Sequence, residues 1–366
     1  MGEQNVVVWC LLGRKAGDNT QVCALADELG YGFEPKHIMA RPWELLTHFG
    51  MGPTLAGIDR GASSTLQAPW PDLVISAGRR NEPVARWIKQ QSGDRTRLVH
   101  IGRPWAPLGV WDLVVTTPQY FLPQQDNILH NSLPLHRVSA AEFELAAGNL
   151  RERIANLPRP WIAVLVGGDS GRFVFTAAKG ERLGELADHL ARATGGSLLV
   201  TDSPRTPQAA GDALVARLTA PNCCYRWGSG DTDNPYRGLL ALADIFVVTG
   251  ESMSMLGEAA ATGRPLYIFD VGDGDTPWWR LRHSYRYKPL SHRLAMRFGP
   301  RRMRRDIGNI QQALVAGQRA AWLEQDGAGG VLRKMAGSPA GGEAGLSAAD
   351  ELQRTAAAVR RLVTVR

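Results

Sequence analysis

Glu258 stands about two turns inside a short helical run (252–261) that opens with small hydroxyl residues at Ser252 and Ser254 and follows the apolar run Ile245–Val248. The first N–H groups of a helix have no partner within the helix and carry partial positive charge, so such a start can hold a phosphate. A carboxylate two turns further along is placed to take a pair of ribose hydroxyls. Strand, helix start and acid together read as a nucleotide site. Glu251, at the same start, favours the helix dipole but repels an anion, which leaves Ser252, Ser254 and the backbone amides to hold the phosphate.

Three more loops follow apolar runs, where ligands bind at the carboxyl ends of parallel strands. Gly167-Gly168-Asp169-Ser170, followed by Gly171, comes after Trp161–Val166, and three glycines in five residues suit a loop wrapped closely on a phosphate or sugar. Thr201–Pro207 adds Arg205 on the same sheet edge. In the other half of the chain, Gly17-Asp18-Asn19 follows the first strand and Gly78-Arg79-Arg80 a later one. Asp18 is a candidate general base for an acceptor hydroxyl, or Asp18 or Asn19 caps the next helix. Gly78 permits close backbone approach, and Arg79 can reach a phosphate or carboxylate, or the segment is a solvated turn. Neither G-x-x-x-x-G-K-[ST] nor G-x-G-x-x-G occurs. No metal-ligand spacing or convincing Ser-His-Asp order is present, so neither metal nor cofactor is expected. His37, His100 and His283 read as packing or surface residues.

Strand-like and helix-like patterns must position these groups, and they alternate in two series. The first holds apolar runs at 6–12, 36–39, 73–76, 98–101 and 113–116, with helices near 20–29 and 82–91. The second holds 161–166, 197–201, 223–226, 245–248 and 266–269, with helices at 177–193, 207–218 and 235–242. Runs apolar on both faces and alternating with helices imply parallel sheets covered on both sides. The expected fold class is therefore α/β, with two facing Rossmann-like domains and a cleft between them. The expected boundaries are 1–156 for an acceptor-side domain, 157–323 for a nucleotide-sugar domain and 324–366 for a flexible Gly/Ala-rich tail. The division falls at Leu157-Pro-Arg-Pro160, and the last stretch has the pattern of a short amphipathic helix.

Composition narrows the setting. In 366 residues there are four cysteines without C-x-x-C spacing, no apolar run near eighteen residues and no secretory leader pattern, which together predict a cytoplasmic protein. The net charge is +7, yet the ten Arg and Lys between Thr276 and Arg305, with no acid among them, leave about −3 for the rest. Trp278, Trp279, Tyr285, Tyr287 and Phe298 are interleaved with that basic run. The segment 278–305 is expected to lie on the inner face of an anionic membrane or to hold an anionic or lipid-linked acceptor. A solvated connector and a nucleic-acid contact are its other readings, the last without any accompanying nucleic-acid motif.

Taken together, Asn234–Asp244 (NPYRGLLALAD), Val248–Pro265 (VTGESMSMLGEAAATGRP), Val166–Ser170, Thr201–Pro207, Ala16–Gln21 and Pro71–Arg79 resemble the mitochondrial fission Elm family over roughly residues 5–320. That family is similar to glycosyltransferases of the GT-B type. In enzymes of that type resembling the peptidoglycan lipid-linked N-acetylglucosaminyl transferase, an E-x-A-A-x-G-x-P helix carries the ribose-binding acid, which falls here on Glu258 with Gly263 and Pro265. Ser252 replaces a turn glycine of those enzymes, and Gly17-Asp18-Asn19 replaces their His-bearing loop. The resemblance implies a metal-independent transferase with a nucleotide-diphosphate sugar as substrate. The fold also supports nucleotide-sugar 2-epimerases, whose acids and His around the sugar find no match here. Eukaryotic members of the Elm family imply a different class, a non-catalytic membrane-associated adaptor.

Overall fold

The apolar runs fold into two parallel sheets, since strands apolar on both faces need a helical layer on each side. The computed structural model describes residues 6–43, 47–48, 51–136, 140–170, 173–228, 234–272, 298, 306–324 and 348–364. The first series is β1 (Val8–Leu12), α1 (Ala16–Leu29), β2 (Glu34–His37), β3 (Leu73–Ala77), α2 (Glu82–Gln91), β4 (Arg97–Ile101), β5 (Leu113–Thr116) and β6 (Ile128–His130). The second is α3 (Ala140–Ile154), β7 (Trp161–Leu165), α4 (Ala177–Thr194), β8 (Ser197–Thr201), α5 (Gln208–Val215), β9 (Asn222–Tyr225), α6 (Tyr236–Leu242), β10 (Ile245–Thr249), α7 (Met253–Ala261), β11 (Leu266–Phe269), α8 (Gly308–Ala316) and β12 (Ala321–Trp322). One further helix, α9 (Ala348–Thr364), closes the described chain.

The first sheet runs β2-β1-β3-β4-β5-β6 and the second β12-β11-β10-β7-β8-β9, with every pairing parallel. Strand order reverses between β1 and β3 in one sheet and between β7 and β10 in the other. At such switch points the loops leaving the two strands splay to opposite faces and open a crevice at their carboxyl ends. The two-Rossmann α/β expectation holds.

An aspartate just before a strand recurs as a register lock. Asp72 before β3 accepts the Val7 amide at 3.0 Å, Asp112 before β5 accepts the Leu98 amide at 2.8 Å, and Asp244 before β10 accepts the Trp161 amide at 2.7 Å. Each ties the entry of one strand to the entry of its neighbour in the sheet. Lys89 and Arg97 pair with Asp112 and, with the Leu98 amide, hold its carboxyl below the usual range against the opposing effect of burial.

The domain expectation needs two corrections. Helix α3, within residues 1–156 expected for the first domain, belongs with the second unit, where Gly238 of α6 admits the Ala146 backbone and the Leu150 side chain of α3. The tail expectation also fails for residues 348–364. They form α9 and pack on the first unit, with Leu352, Ala356, Val359 and Val363 in the same core as Val8, Cys10, Val22 and Leu25. Its polar contacts are specific: Glu351 accepts the amides of Ser132 at 2.6 Å and Leu133 at 3.3 Å, and Thr355 accepts from Asn131 at 3.0 Å. An Arg/Glu-bearing helix next to a Gly-rich stretch reads as solvated until its apolar face finds α1. Leu352→Ala is expected to cost about 2–3 kcal/mol by emptying a buried leucine site, measurable by urea unfolding.

The basic segment 278–305 lies outside the described residues except for Phe298. No helix of the described residues is long and apolar enough to cross a membrane.

Candidate functional site

At the β7/β10 switch point three loops converge on the first turn of α7. The chain leaves β7 through Gly167-Gly168-Asp169, leaves β8 through Asp202–Arg205, and leaves β10 through Gly250-Glu251-Ser252. Five of the expected donor-side residues meet here: Gly167, Gly168, Asp169, Arg205 and Ser252. A β-carbon on Gly167 would lie 2.1 Å from Glu251 Oε1, 2.7 Å from Ser252 Cβ and 2.8 Å from Arg205 Nη2, so only glycine lets these groups close up. Gly168 has φ +100° and runs so close to the Arg205 backbone that its β-carbon would stand 2.4 Å from Arg205 O.

Among the described residues Arg205 is the cation of the site. Its Nη1 donates to Asp169 O at 3.0 Å and its Nη2 to Ser252 Oγ at 3.3 Å, while Asp169 N donates back to Arg205 O at 3.0 Å. The guanidinium therefore sits at the start of α7, where N-cap Ser252 makes no side-chain bond back into the helix. Ser252 is buried and Ser254, one turn position further, is exposed. A phosphate on this helix start would meet the first-turn amides, the Ser252 hydroxyl and the Arg205 guanidinium together.

Two of the expected residues have structural duties. The Asp169 carboxylate accepts the Phe175 amide at 2.8 Å, and Ser170 pairs backbone to backbone with Phe173. Glu258, two turns along α7, accepts the Tyr236 hydroxyl, a contact that the sequence did not suggest although Tyr236 opens the NPYRG segment. Burial raises the Glu258 carboxyl and the Tyr236 bond opposes that rise; the Tyr236 hydroxyl is itself pushed well above its ordinary value by burial and by Glu258.

Glu251 is resolved by its side chain, which turns under the Gly167 loop. Gly167 N donates to Thr249 Oγ1 at 2.8 Å, and that hydroxyl passes its own proton toward Glu251 Oε1 at 3.2 Å. Arg205 Nη2 lies 3.8 Å from the same oxygen. Burial pushes the Glu251 carboxyl up to about 6, against the pull of Arg205.

The first unit has its own polar concavity at the β1/β3 switch point, lined by Gly13–Lys15 of the loop after β1, Asp18 and Asn19 of α1, and Ala77–Asn81 from the end of β3 onward. Sequence starts the helix near Thr20; α1 in fact begins at Ala16, so Gly17, Asp18 and Asn19 belong to its first turn. Lys15, with no side-chain capping bond, is the N-cap, so neither Asp18 nor Asn19 fills that position. Asp18 pairs with Lys15 at 3.6 Å and faces Gly78, whose β-carbon would stand 2.6 Å from Asp18 Oδ2. Asn19 spends its amide on Gly13, accepting from N at 2.9 Å and donating to O at 2.8 Å. Arg79 stacks over Trp105 with its guanidinium carbon 4.8 Å from the ring centroid.

Two buried residues of this rim escaped sequence reasoning. Asn81 donates to Leu11 O at 3.0 Å and ties the ends of β1 and β3 together. Glu82, fully buried, accepts the Trp105 and Ala106 amides at 2.9 Å, and burial lifts its carboxyl to about 7. A first-turn acid is an ordinary helix feature, and nothing in its spacing signals this bond. His100 is packing, as expected: it is fully buried against Ser76 and Trp111, with its basicity lowered to about 3 by burial.

Comparison with known proteins follows from this geometry. The family described as mitochondrial fission ELM1 matches residues 16–304. The chain is 28% identical over 273 residues to mitochondrial fission protein ELM1 of Arabidopsis thaliana, covering 67% of this chain and 62% of that protein. It is 26% identical over 232 residues to the uncharacterized protein RP120 of Rickettsia prowazekii (strain Madrid E), covering 54% of this chain and 64% of that one. The chain thus spans less than two thirds of the length of these curated relatives. Among solved structures it is similar to Os79 from O. sativa in complex with UDP, at 12% identity and a TM-score of 0.49 over 98% of this chain and 94% of that one. It is also similar to MurG of Acinetobacter baumannii, at 14% identity and a TM-score of 0.43 over 97% and 94% of the two chains. With residues 16–304 matched, the chain belongs to the mitochondrial fission ELM1 family.

Proposed function

We propose that the second unit binds a nucleotide-diphosphate sugar at the β7/β10 switch point and that the protein is a glycosyltransferase of metal-independent type. The observation that carries this reading is the convergence of three strand-end loops on the start of α7, with Arg205 beside Ser252 Oγ at 3.3 Å. The guanidinium and the first-turn amides supply fixed positive potential where a leaving diphosphate gains charge. Glu258 takes the ribose hydroxyls and exchanges its Tyr236 bond for them. Asp18, in the polar concavity of the first unit, is the proposed base toward an acceptor hydroxyl, with Gly78 and Arg79 on the acceptor side. The basic segment 278–305 is proposed to bring the protein to an anionic lipid or lipid-linked acceptor at the cytoplasmic membrane face.

Membership of the ELM1 family favours a second reading, a non-catalytic adaptor at a membrane. Calorimetric titration with UDP-, GDP-, CMP- and ADP-sugars separates the two. A transferase binds at least one of them, losing the affinity in Glu258→Ala while Asp18→Ala binds as wild type yet transfers nothing. An absence of heat with all four would leave only the adaptor.

A further inference from the structure

Glu251 is an unusual neighbour for a phosphate. It is 3% exposed, stands at the start of α7, and its Oε2 is buried without a hydrogen-bond partner among the described residues. Its other oxygen accepts from Thr249 at 3.2 Å and lies 3.8 Å from Arg205. The side chains around it are few in kind. Arg205 faces it from the loop after β8, while Asp169, from the loop after β7, has its carboxylate turned to the Phe175 amide. Gln311 of α8 reaches the adjacent Gly250 O at 2.6 Å, and Thr249 and Ser252 are the polar groups of its own segment. Among the described residues Arg205 is thus the cation contacting both the acid and the helix start, and it is shared between them.

A phosphate arriving at Ser252 competes for that guanidinium and adds negative charge beside a carboxylate screened from water. Two anions sharing one cation in a dry site cannot both stay ionised cheaply, and the one with an unpartnered oxygen and the weaker acidity is the one to accept a proton. Protonation at Oε2 converts the orphaned acceptor into an O–H donor and removes the repulsion while leaving the Thr249 relay to Gly167 intact. We propose that Glu251 is the positioning acid of the phosphate site and takes up one proton from solvent when a nucleotide phosphate docks there. This rests on the donor-site reading above. The carboxyl already sits near 6 in the free protein because of burial, so a further rise carries it across neutrality.

Calorimetry of the full chain with UDP as the probe, and ADP, GDP and CMP in parallel, tests this in buffers of different ionisation enthalpy between pH 6.5 and 8.5. Working mainly above pH 7.5 keeps titration of the nucleotide itself out of the proton count. The expected result is a proton uptake approaching one per nucleotide bound between the free-state and bound-state values of Glu251, with affinity falling toward tenfold per pH unit across that interval and levelling off above it. Glu251→Gln, isosteric and neutral, is expected to bind with no proton uptake above pH 7.5 and a flat pH profile. Nucleotide binding by the wild type without proton uptake would overturn the role of Glu251 and leave the donor site standing. So would a pH profile unchanged in Glu251→Gln. No heat with any nucleotide would remove the donor site and this role together. The wild-type measurement decides the matter even if the variant folds poorly.

Discussion

Gly168→Ala is expected to lose nucleotide affinity by more than ~100-fold and to cost the second unit about 4 kcal/mol of stability. Two effects add at this position. The residue holds φ +100°, which L side chains rarely adopt, and its β-carbon would stand 2.4 Å from Arg205 O, 2.5 Å from Arg205 C and 2.6 Å from Thr206 N. These are backbone atoms, pinned by the Asp169 N to Arg205 O bond of 3.0 Å, so no side-chain rotation relieves the clash. The loop after β7 must move away from the loop after β8, and Arg205 moves with it. Gly263→Ala separates the contributions: φ is +69° there, but nothing lies within 4 Å of an added β-carbon. That variant is expected to cost only the conformational term, about 1–2 kcal/mol, and to keep its affinity. Urea unfolding and calorimetric titration of both variants check the pair.

Arg205→Ala should weaken diphosphate binding by roughly 100-fold, the worth of a charge-assisted contact at a partly buried site. Arg205→Lys is expected to fall between, because a lysine carries the charge but cannot reach Asp169 O and Ser252 Oγ at once. The loss also changes the pH dependence of stability, and the sign follows from Glu251. Its folded-state value near 6 is above the ordinary carboxylate value, so the folded protein holds the proton more tightly than the unfolded chain. Stability is then greatest below the unfolded value and declines as pH rises from about 4.5 through about 6. Without Arg205 the carboxyl rises further, so the decline is expected to extend to higher pH in Arg205→Ala. Chemical unfolding at several pH values measures it directly.

The architecture was legible because each long run of buried residues is continuous, largely apolar and contains β-branched residues, as in VWCLL, LVISA, WIAVL and IFVVT. Helix α4 was legible from end to end, beginning after Thr176, which accepts the Lys179 amide, and closing at Gly195 in the left-handed region. Short edge strands were not. β6 has three residues and β12 two, too few for any period to show, and each exists only because a neighbouring strand offers an unpaired edge. α9 was legible as a pattern but not as a docked element, since its partner α1 lies more than three hundred residues away in sequence.

The site divides along the same line. Gly167, Gly168, Arg205 and Ser252 announced themselves through residue type and position after a strand. The duties of Asp169, Asn19 and Glu251 did not, because the groups that use their side chains are the Phe175 amide, the Gly13 backbone and the Thr249 hydroxyl. Asn19 and Asp169 spend on backbone what sequence alone offers to a ligand. Glu251 looked like an obstacle at the helix start, and its side chain instead lies beneath the loop that the nucleotide would cover.

Hydrogen exchange of the full chain, with and without saturating nucleotide-diphosphate sugar, tests the donor site most directly. The expected result is slowed exchange in the amides of 166–170 and 252–256, with no such slowing in Arg205→Ala at the same ligand concentration. Protection confined to other segments, or the same protection in the variant, would contradict a donor site at the β7/β10 switch point.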